Sequence, residues 1–111
     1  MASAGDVVVT DFPGAMGLKR RPAVVLSSDQ YYLNRPDVII GIITSQLPAA
    51  ATPTDHVLMD WSEARLRLPS AFRAFLVTVP RTALCAKIGH LSERDWSAIR
   101  VCVKMALAEV E

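Results

Sequence analysis

Three consecutive cations, Lys19, Arg20 and Arg21, lie directly before Pro22 and the apolar run that follows it. Arginine suits anion binding, because its planar guanidinium meets two phosphate oxygens at once and stays charged. The stretch from residue 17 to residue 27 contains no acid that would neutralise these charges. This stretch is therefore a candidate for binding an anionic substrate. The alternative interpretation is that the cations only keep the protein soluble.

A second region of the chain is also rich in positive charge. Residues 61–90 contain a single acid, Glu63, beside the cations Arg65, Arg67, Arg73, Arg81 and Lys87. The formal net charge of the whole chain is only +1, which excludes a strongly basic nucleic-acid binder. A protein near neutrality can still present one basic groove. This distribution is compatible with RNA or another phosphorylated partner.

Length and composition indicate a compact globular protein. The chain has 111 residues, of which 51% are hydrophobic and 21% are charged, so we expect a single domain over residues 1–111. No apolar run approaches the roughly 20 residues that cross a bilayer, and the N-terminus lacks the cationic region of a signal peptide. We therefore expect a cytoplasmic protein with no membrane contact.

The cysteines and histidines do not have the spacing of metal ligands. Cys85 and Cys102 form no CxxC motif, and His56 and His90 stand alone. In a cytosolic protein both cysteines are expected to be reduced and packed. No metal and no other cofactor is predicted.

The hydrophobic pattern predicts short strands separated by loops rich in proline and glycine. Strands are expected at residues 5–10, 22–26, 37–45, 56–60, 70–79 and 85–88. The connections are predicted as loops at 11–17 and 46–54, an irregular or short helical stretch at 27–36, and one or two helical turns at 61–68 before Pro69.

An amphipathic helix is predicted at the C-terminus. Ser92 is a suitable N-cap, and Glu93 and Asp95 in the first turn interact favourably with the helix dipole. Gly89, just before it, is expected in a turn with positive φ. An apolar stripe with helical spacing follows: Trp96, Ile99, Val103, Ala106, Leu107 and Val110. Strands and helix together predict a mainly β fold, a strongly curved sheet or partly open barrel with short helices.

Six segments occur in a fixed order between about residue 5 and the C-terminus: GDVVVTDFP, KRRPAVVLSSD, DVIIGIITSQ, LPSAF, PRT and KIGHLS. Together they resemble the MazF/PemK (Kid-type) toxins of type II toxin–antitoxin modules. The resemblance implies a curved antiparallel sheet similar to an SH3-like barrel, and a homodimer. It further implies a sequence-selective endoribonuclease that cleaves single-stranded RNA without a metal. A small antitoxin, whose extended tail lies over the RNA groove, would hold it inactive.

The resemblance implies that Arg21, in the RP motif, and Thr44, in the ITS motif, are catalytic. Metal-independent RNA cleavage uses the 2′-hydroxyl as nucleophile, and the protein must stabilise the negative charge that grows on the oxygens of the phosphorane. Arg21 would neutralise the scissile phosphate, and Thr44 would hydrogen-bond a phosphate oxygen or orient the hydroxyl. Ser45 and Gln46 directly follow Thr44 in the chain and are expected to contact RNA. The alternatives are a solvated cation at 21 and a threonine that satisfies a turn at 44.

Four further cations are candidates for contacting RNA. Lys19 and Arg20 either steer RNA or only increase solubility. Arg73 is a candidate for the groove or for a dimer interface. Arg81 matches an arginine of the family's PRT motif, where its role is as much structural as RNA-contacting. His56 is expected to be a surface or packed histidine rather than a base.

One departure from the family pattern affects the catalytic assignment. Kid-type members carry an Arg-x-Asp pair before the PRT motif, proposed as acid and base, whereas the corresponding positions here are Leu76 and Thr78. Either Arg21 does more of the work, or Asp11 or His56 substitutes. Otherwise the chain is a weak or inactive nuclease. The second interpretation is a non-catalytic toxin-like protein that binds an antitoxin or a protein target. A generic SH3-like module that binds RNA or peptide is the third interpretation.

Overall fold

The computed structural model describes residues 2–14, 17–47 and 52–108. Within these residues one antiparallel sheet has the strand order β4-β5-β3-β2-β1-β6. The elements are β1 (Asp6–Gly14), β2 (Gly17–Val25), α1 (Asp29–Asn34), β3 (Asp37–Thr44), β4 (Asp55–Val57), β5 (Ala71–Pro80), a 3₁₀ turn (Arg81–Ala83), β6 (Leu84–His90) and α2 (Glu93–Ala106). β4 and β6 are the edges of this open sheet, and register breaks in the β1–β6 and β3–β5 ladders bend it. The predicted mainly β fold with a curved sheet and a C-terminal helix is confirmed.

Apolar side chains are buried on both faces of the central strands. Val7 and Val24 belong to a cluster that α2 covers, whereas Val8 and Val25, their chain neighbours, belong to a second cluster. Neighbouring residues reach different clusters because side chains alternate between the faces of a strand. β3 likewise contributes Ile43 to the first cluster and other isoleucines to the second. The prediction that residues 37–45 form a central strand is confirmed.

Helix α2 begins as its sequence predicts and ends earlier than its apolar stripe. The Ser92 side chain accepts a hydrogen bond from the Asp95 N–H, which confirms the N-cap. Of the stripe, Trp96, Ile99 and Val103 pack on the first cluster. Ala106, the last residue of the helix, and Leu107 after it are exposed, and Val110 lies outside the described residues. Neither described helix is long and apolar enough to cross a membrane.

The predicted loop at 11–17 is wrong, because most of it belongs to a long β1–β2 hairpin. The pairing continues through Asp11 with Arg20 to Gly14 with Gly17. Pro13 is tolerated here because the β1–β6 ladder already ends at Thr10, which leaves the other edge of β1 unpaired. Strand β2 therefore starts five residues before Pro22. Arg21 lies within β2 and not directly before it, as the predicted strand at 22–26 would place it.

Two further expectations are corrected. Residues 61–68 form turns rather than a helix, and Arg65 has a φ of 69°, which no helix accommodates. Cys102 is buried but Cys85 is exposed on the edge strand β6, so the expectation that both cysteines pack holds only for Cys102.

Gly89 lies inside β6 rather than in a turn, and it is not among the residues with positive φ. It is needed for a different reason. A Cβ built on Gly89 would lie 2.1 Å from the carbonyl oxygen of Ala64. The absence of a side chain therefore lets the 61–68 segment pack directly on β6.

We expect Gly89→Ala to lower the free energy of unfolding by about 2–3 kcal/mol, because a backbone contact must open to admit the methyl group. Urea denaturation of wild type, Gly89→Ala and the exposed β6 control Cys85→Ala would measure this. A Gly89→Ala protein as stable as Cys85→Ala would contradict the close approach.

Candidate nucleic-acid interface

An open groove of about 900 Å³ lies where β2 and β3 meet the 61–68 segment. We call it the basic groove. Its lining includes the cations Lys19, Arg20 and Arg21 of β2, the polar residues Thr44, Ser45 and Gln46 at the end of β3, and Arg65 and Arg67 of the 61–68 segment. The fold therefore brings together three stretches that are far apart in the chain. It places Arg21 and Thr44, which the resemblance assigns to one catalytic site, in the same groove.

The register of the sheet explains why Arg21 and Thr44 share the basic groove. The β2–β3 ladder pairs Val25 with Ile40 and Ala23 with Ile42. The same register, continued two residues further, sets Arg21 opposite Thr44. Arg21 is exposed and Thr44 is half-buried.

The hydroxyl of Thr44 also closes the turn at the end of β3. Its Oγ1 accepts a hydrogen bond from the backbone N–H of Gln46 at 3.1 Å. The turn role that the sequence left open for Thr44 is therefore present. It uses only the acceptor capacity of the oxygen, so the O–H can still donate to a phosphate oxygen.

Arg65 and Arg67 line the basic groove, although neither is among the site residues that the sequence predicts. Both are exposed and line the basic groove, whereas Leu66 between them packs on the first core cluster. The excess of cations over acids in residues 61–90 was the available signal. The helical turns predicted for residues 61–68 do not indicate that Arg65 and Arg67 face one groove, because positions two apart on a helix do not lie on the same side.

Arg73 and Arg81 lie outside the lining of the basic groove. Arg81 donates through Nη2 to the carbonyl oxygens of Arg35 at 2.8 Å and Tyr32 at 3.1 Å, and its guanidinium stacks 4.0 Å from the Tyr32 ring centroid. This geometry ties the end of β5 to α1. Arg73 is exposed on β5, opposite Asp55 of β4.

Both histidines are bound to carboxylates away from the groove lining. His56 Nε2 donates to Asp95 at 2.8 Å, and His90 Nδ1 to Asp6 at 2.7 Å. No histidine, aspartate or glutamate is among the described residues that line the basic groove. The acid beside it is Asp11, whose carboxylate pairs with Arg20 Nε at 3.3 Å.

The comparisons with known proteins agree with this architecture. A family model for the PemK-like, MazF-like toxin of type II toxin–antitoxin systems matches residues 3–107. The chain belongs to this family. The resemblance carried by the six short segments is thereby confirmed. No curated protein matches the chain.

Solved structures of toxins share the fold at low sequence identity. An endoribonuclease in complex with its cognate antitoxin, from a mycobacterial species, superposes with a TM-score of 0.78 at 17% identity, covering 96% of this chain and 94% of that one. MazE–MazF from Deinococcus radiodurans gives 0.75 at 18% identity, covering 95% and 94%. The Mycobacterium tuberculosis toxin MazF-mt6 gives 0.72 at 19% identity, covering 91% and 94%.

A buried carboxylate fixes the segment that leads into the 61–68 side of the groove. Asp95, on the first turn of α2, is fully buried. Its Oδ1 accepts from His56 and from the Met59 N–H at 2.9 Å, and its Oδ2 accepts from the Asp60 N–H at 2.8 Å. The first turn of α2 is thus joined to β4 and to the two residues before the 61–68 segment.

Asp60 makes the second connection between this segment and α2. Arg94 binds its carboxylate in a bidentate manner, at 2.6 and 2.7 Å, and Ser92 donates to it at 2.6 Å. The hydrogen bonds from Arg94 and Ser92 lower the pKa of Asp60 to about 2. Burial alone would raise the pKa of Asp95, but hydrogen bonds from Met59, His56 and Asp60 outweigh burial and lower it.

These lowered pKa values predict acid sensitivity. A carboxyl whose pKa is lower in the folded than in the unfolded state stabilises the fold above the unfolded value, near 3.8, and loses this contribution as the pH falls through the folded value. We therefore expect the free energy of unfolding to fall between about pH 4 and pH 2.

Urea denaturation of wild type, Asp95→Asn and the exposed control Asp29→Asn at several pH values would test this. Asp95→Asn should be less stable at pH 7 by about 1–3 kcal/mol and should lose less stability in acid. Asp29→Asn should follow wild type. An Asp95→Asn protein with the acid dependence of wild type would contradict the role given to this carboxylate.

Proposed function

We propose that this chain is the toxin of a type II toxin–antitoxin pair and a metal-independent endoribonuclease that cleaves single-stranded RNA at selected sequences. The observation that carries the proposal is the basic groove itself, where Thr44 lies among five cations, one of them Arg21, with no acid in the described lining. Such a surface attracts a polyanion even though the chain has a formal net charge of only +1. Leu68, an exposed residue of the same lining, offers apolar surface to unstacked bases.

The reaction is a transesterification within the RNA. The 2′-hydroxyl gives its proton to a base and its oxygen forms a bond to the adjacent phosphorus. The bond to the 5′-oxygen breaks, and this oxygen takes up a proton from solvent in the open groove, which leaves a 2′,3′-cyclic phosphate and a 5′-hydroxyl end. Arg21 stabilises the negative charge on the phosphorane through its two-pronged guanidinium. Thr44 donates a hydrogen bond from its O–H to a phosphate oxygen or orients the attacking hydroxyl.

Fewer residues are candidates for acid or base than the sequence alone suggests. His56 is committed to Asp95 and does not line the groove. Leu76 packs in the first core cluster, and neither it nor Thr78 is an acid or base. Asp11 remains as the base for the 2′-hydroxyl, because it pairs with the groove cation Arg20 and lies next to the partner of Arg21 in the hairpin. The alternative is that Arg21 itself transfers the proton.

The proposal includes the partners expected of such a toxin. The chain would form a homodimer and bind a small antitoxin whose extended tail lies over the basic groove. The uncommitted cations of the groove support this, since they would bind the carboxylates of a tail as well as the phosphates of RNA. Structures of this fold include MazE–MazF and an endoribonuclease with its cognate antitoxin.

A second function stays open because the described groove lining contains no acid or base of the Arg-x-Asp kind. The chain would then be a non-catalytic toxin-like protein that binds an antitoxin or a protein target. It would bind RNA or antitoxin without producing cleavage products, and growth arrest would survive Arg21→Ala.

Incubation of the purified protein with mixed-sequence RNA in EDTA, followed by sequencing of the cleaved ends, tests the enzymatic proposal. We expect cleavage at a short preferred sequence, and a loss of about 100-fold or more in kcat/KM for Arg21→Ala. Thr44→Val should also lower kcat/KM, by removal of its hydroxyl.

The exposed arginine Arg35, outside the groove lining, provides the control. Arg35→Ala should cleave like wild type. If RNA stays intact with wild type and Arg21→Ala alike, the enzymatic proposal fails and the non-catalytic function is favoured.

A further inference from the structure

Arg65 has an unusual backbone conformation. Among residues 2–14, 17–47 and 52–108 it is the one non-glycine residue with positive φ, at 69°. A side chain with a Cβ is disfavoured there, and arginine has none of the local hydrogen bonding that helps asparagine or aspartate. Residues kept in such conformations concentrate at functional sites, where the surrounding structure imposes them.

The surroundings of Arg65 account for its conformation. Ala64 is completely buried, and its carbonyl packs on the backbone of Gly89. Three backbone hydrogen bonds close the turn: Ala64 N–H to the Asp60 oxygen, Arg65 N–H to the Ser62 oxygen and Leu66 N–H to the Trp61 oxygen. The chain must therefore reverse at residue 65, a position that glycine would occupy with less strain.

The side chain of Arg65 is exposed in the basic groove and is not in an ion pair with any carboxylate of the described residues. Arg67 shares both properties. Arg94 shows the contrast, because its guanidinium is held in a bidentate pair by Asp60. The 61–68 segment thus presents two uncommitted guanidinium groups from a turn whose base is fixed to α2.

We infer that Arg65 is a phosphate-binding residue of the basic groove, which grips the RNA backbone from the 61–68 side while Arg21 binds it from the β2 side. The inference rests on the function proposed above and extends it to a second contact with the RNA strand. Phosphate binding by its side chain then explains why residue 65 is arginine although its backbone conformation suits glycine better. Arg67 supports the same contact from a relaxed backbone.

Strain and charge can be separated by two substitutions. Arg65→Gly removes both the strain and the charge, whereas Arg65→Lys keeps the Cβ and the charge. We expect Arg65→Gly to raise Tm by about 3 °C or more, and Arg65→Lys to keep the wild-type Tm. A rise in stability together with a loss of function is a result that a merely structural residue would not give.

Binding would be measured with a mixed-sequence single-stranded RNA that carries 2′-O-methyl groups throughout, so that it cannot be cleaved. Arg65→Gly should weaken binding about 10-fold or more near 0.1 M salt. Its plot of log K against log salt concentration should be shallower by about 0.7, the value for one lost phosphate contact on a single strand. Arg65→Lys and the control Arg35→Ala should keep the wild-type slope.

The outcomes distinguish this inference from the function it rests on. If Arg65→Gly binds the RNA with the affinity and salt slope of wild type, while Arg21→Ala loses cleavage, the inference fails and the proposed function stands. A fall in Tm for Arg65→Gly would also overturn it, because the strain would be absent. If wild type neither binds nor cleaves RNA, both proposals fail together. If Arg65→Gly weakens the binding of an acidic peptide but leaves the affinity and the salt slope for RNA at their wild-type values, the contact belongs to a protein partner instead.

Discussion

The buried carboxylate of Asp95 is the contact on which the shape of the site depends. One side chain accepts hydrogen bonds from His56 and from two consecutive backbone N–H groups at residues 59 and 60. It thereby fixes the edge strand β4 and the entry to the 61–68 segment against the first turn of α2. The same helix packs on the face of the sheet that contains Val24 and Ile43. The sheet, the helix and the second side of the groove are therefore positioned as one unit.

A consequence of this arrangement is a separation of charges. Three carboxylates away from the groove lining, Asp6, Asp60 and Asp95, accept hydrogen bonds within the fold, and all three have lowered pKa values. Arg94 and Arg81 are occupied by a carboxylate and by carbonyl groups, respectively. Among the residues that the structure describes, no buried acid pairs with the cations of the groove. A chain of nearly zero net charge can in this way present a strongly positive surface at one place.

Much of the fold follows from features that are local in the sequence. Alternating and continuous apolar runs locate the strands, and Ser92 locates the start of α2. The sequence does not predict the hairpin that carries Arg21, because proline and glycine usually indicate a loop. Pro13 is tolerated only because β6 stops pairing at Thr10, and that is a property of the tertiary structure. The sequence also does not show why residue 89 is glycine, since the approach of Ala64 joins parts of the chain 25 positions apart.

The candidate site was predictable where strand register determines it. Arg21 and Thr44 come together because β2 and β3 are antiparallel neighbours. The order of the sequence segments along the chain indicates this pairing. Arg65 required knowledge of a turn whose conformation no local pattern of residues indicates. Arg81 shows the opposite case, because its motif is evident in the sequence but its guanidinium is used to join β5 to α1.

The central claim is that one RNA strand lies in the basic groove between β2 and the 61–68 segment. The most direct measurement is a crystal structure of the wild-type protein with a short single-stranded RNA that carries 2′-O-methyl groups and cannot be cleaved. The account predicts backbone phosphates in contact with Arg21 and Thr44 on one side of the groove and with Arg65 on the other. An RNA strand bound on another face, such as the surface around Arg73, with the groove cations facing solvent, would contradict it.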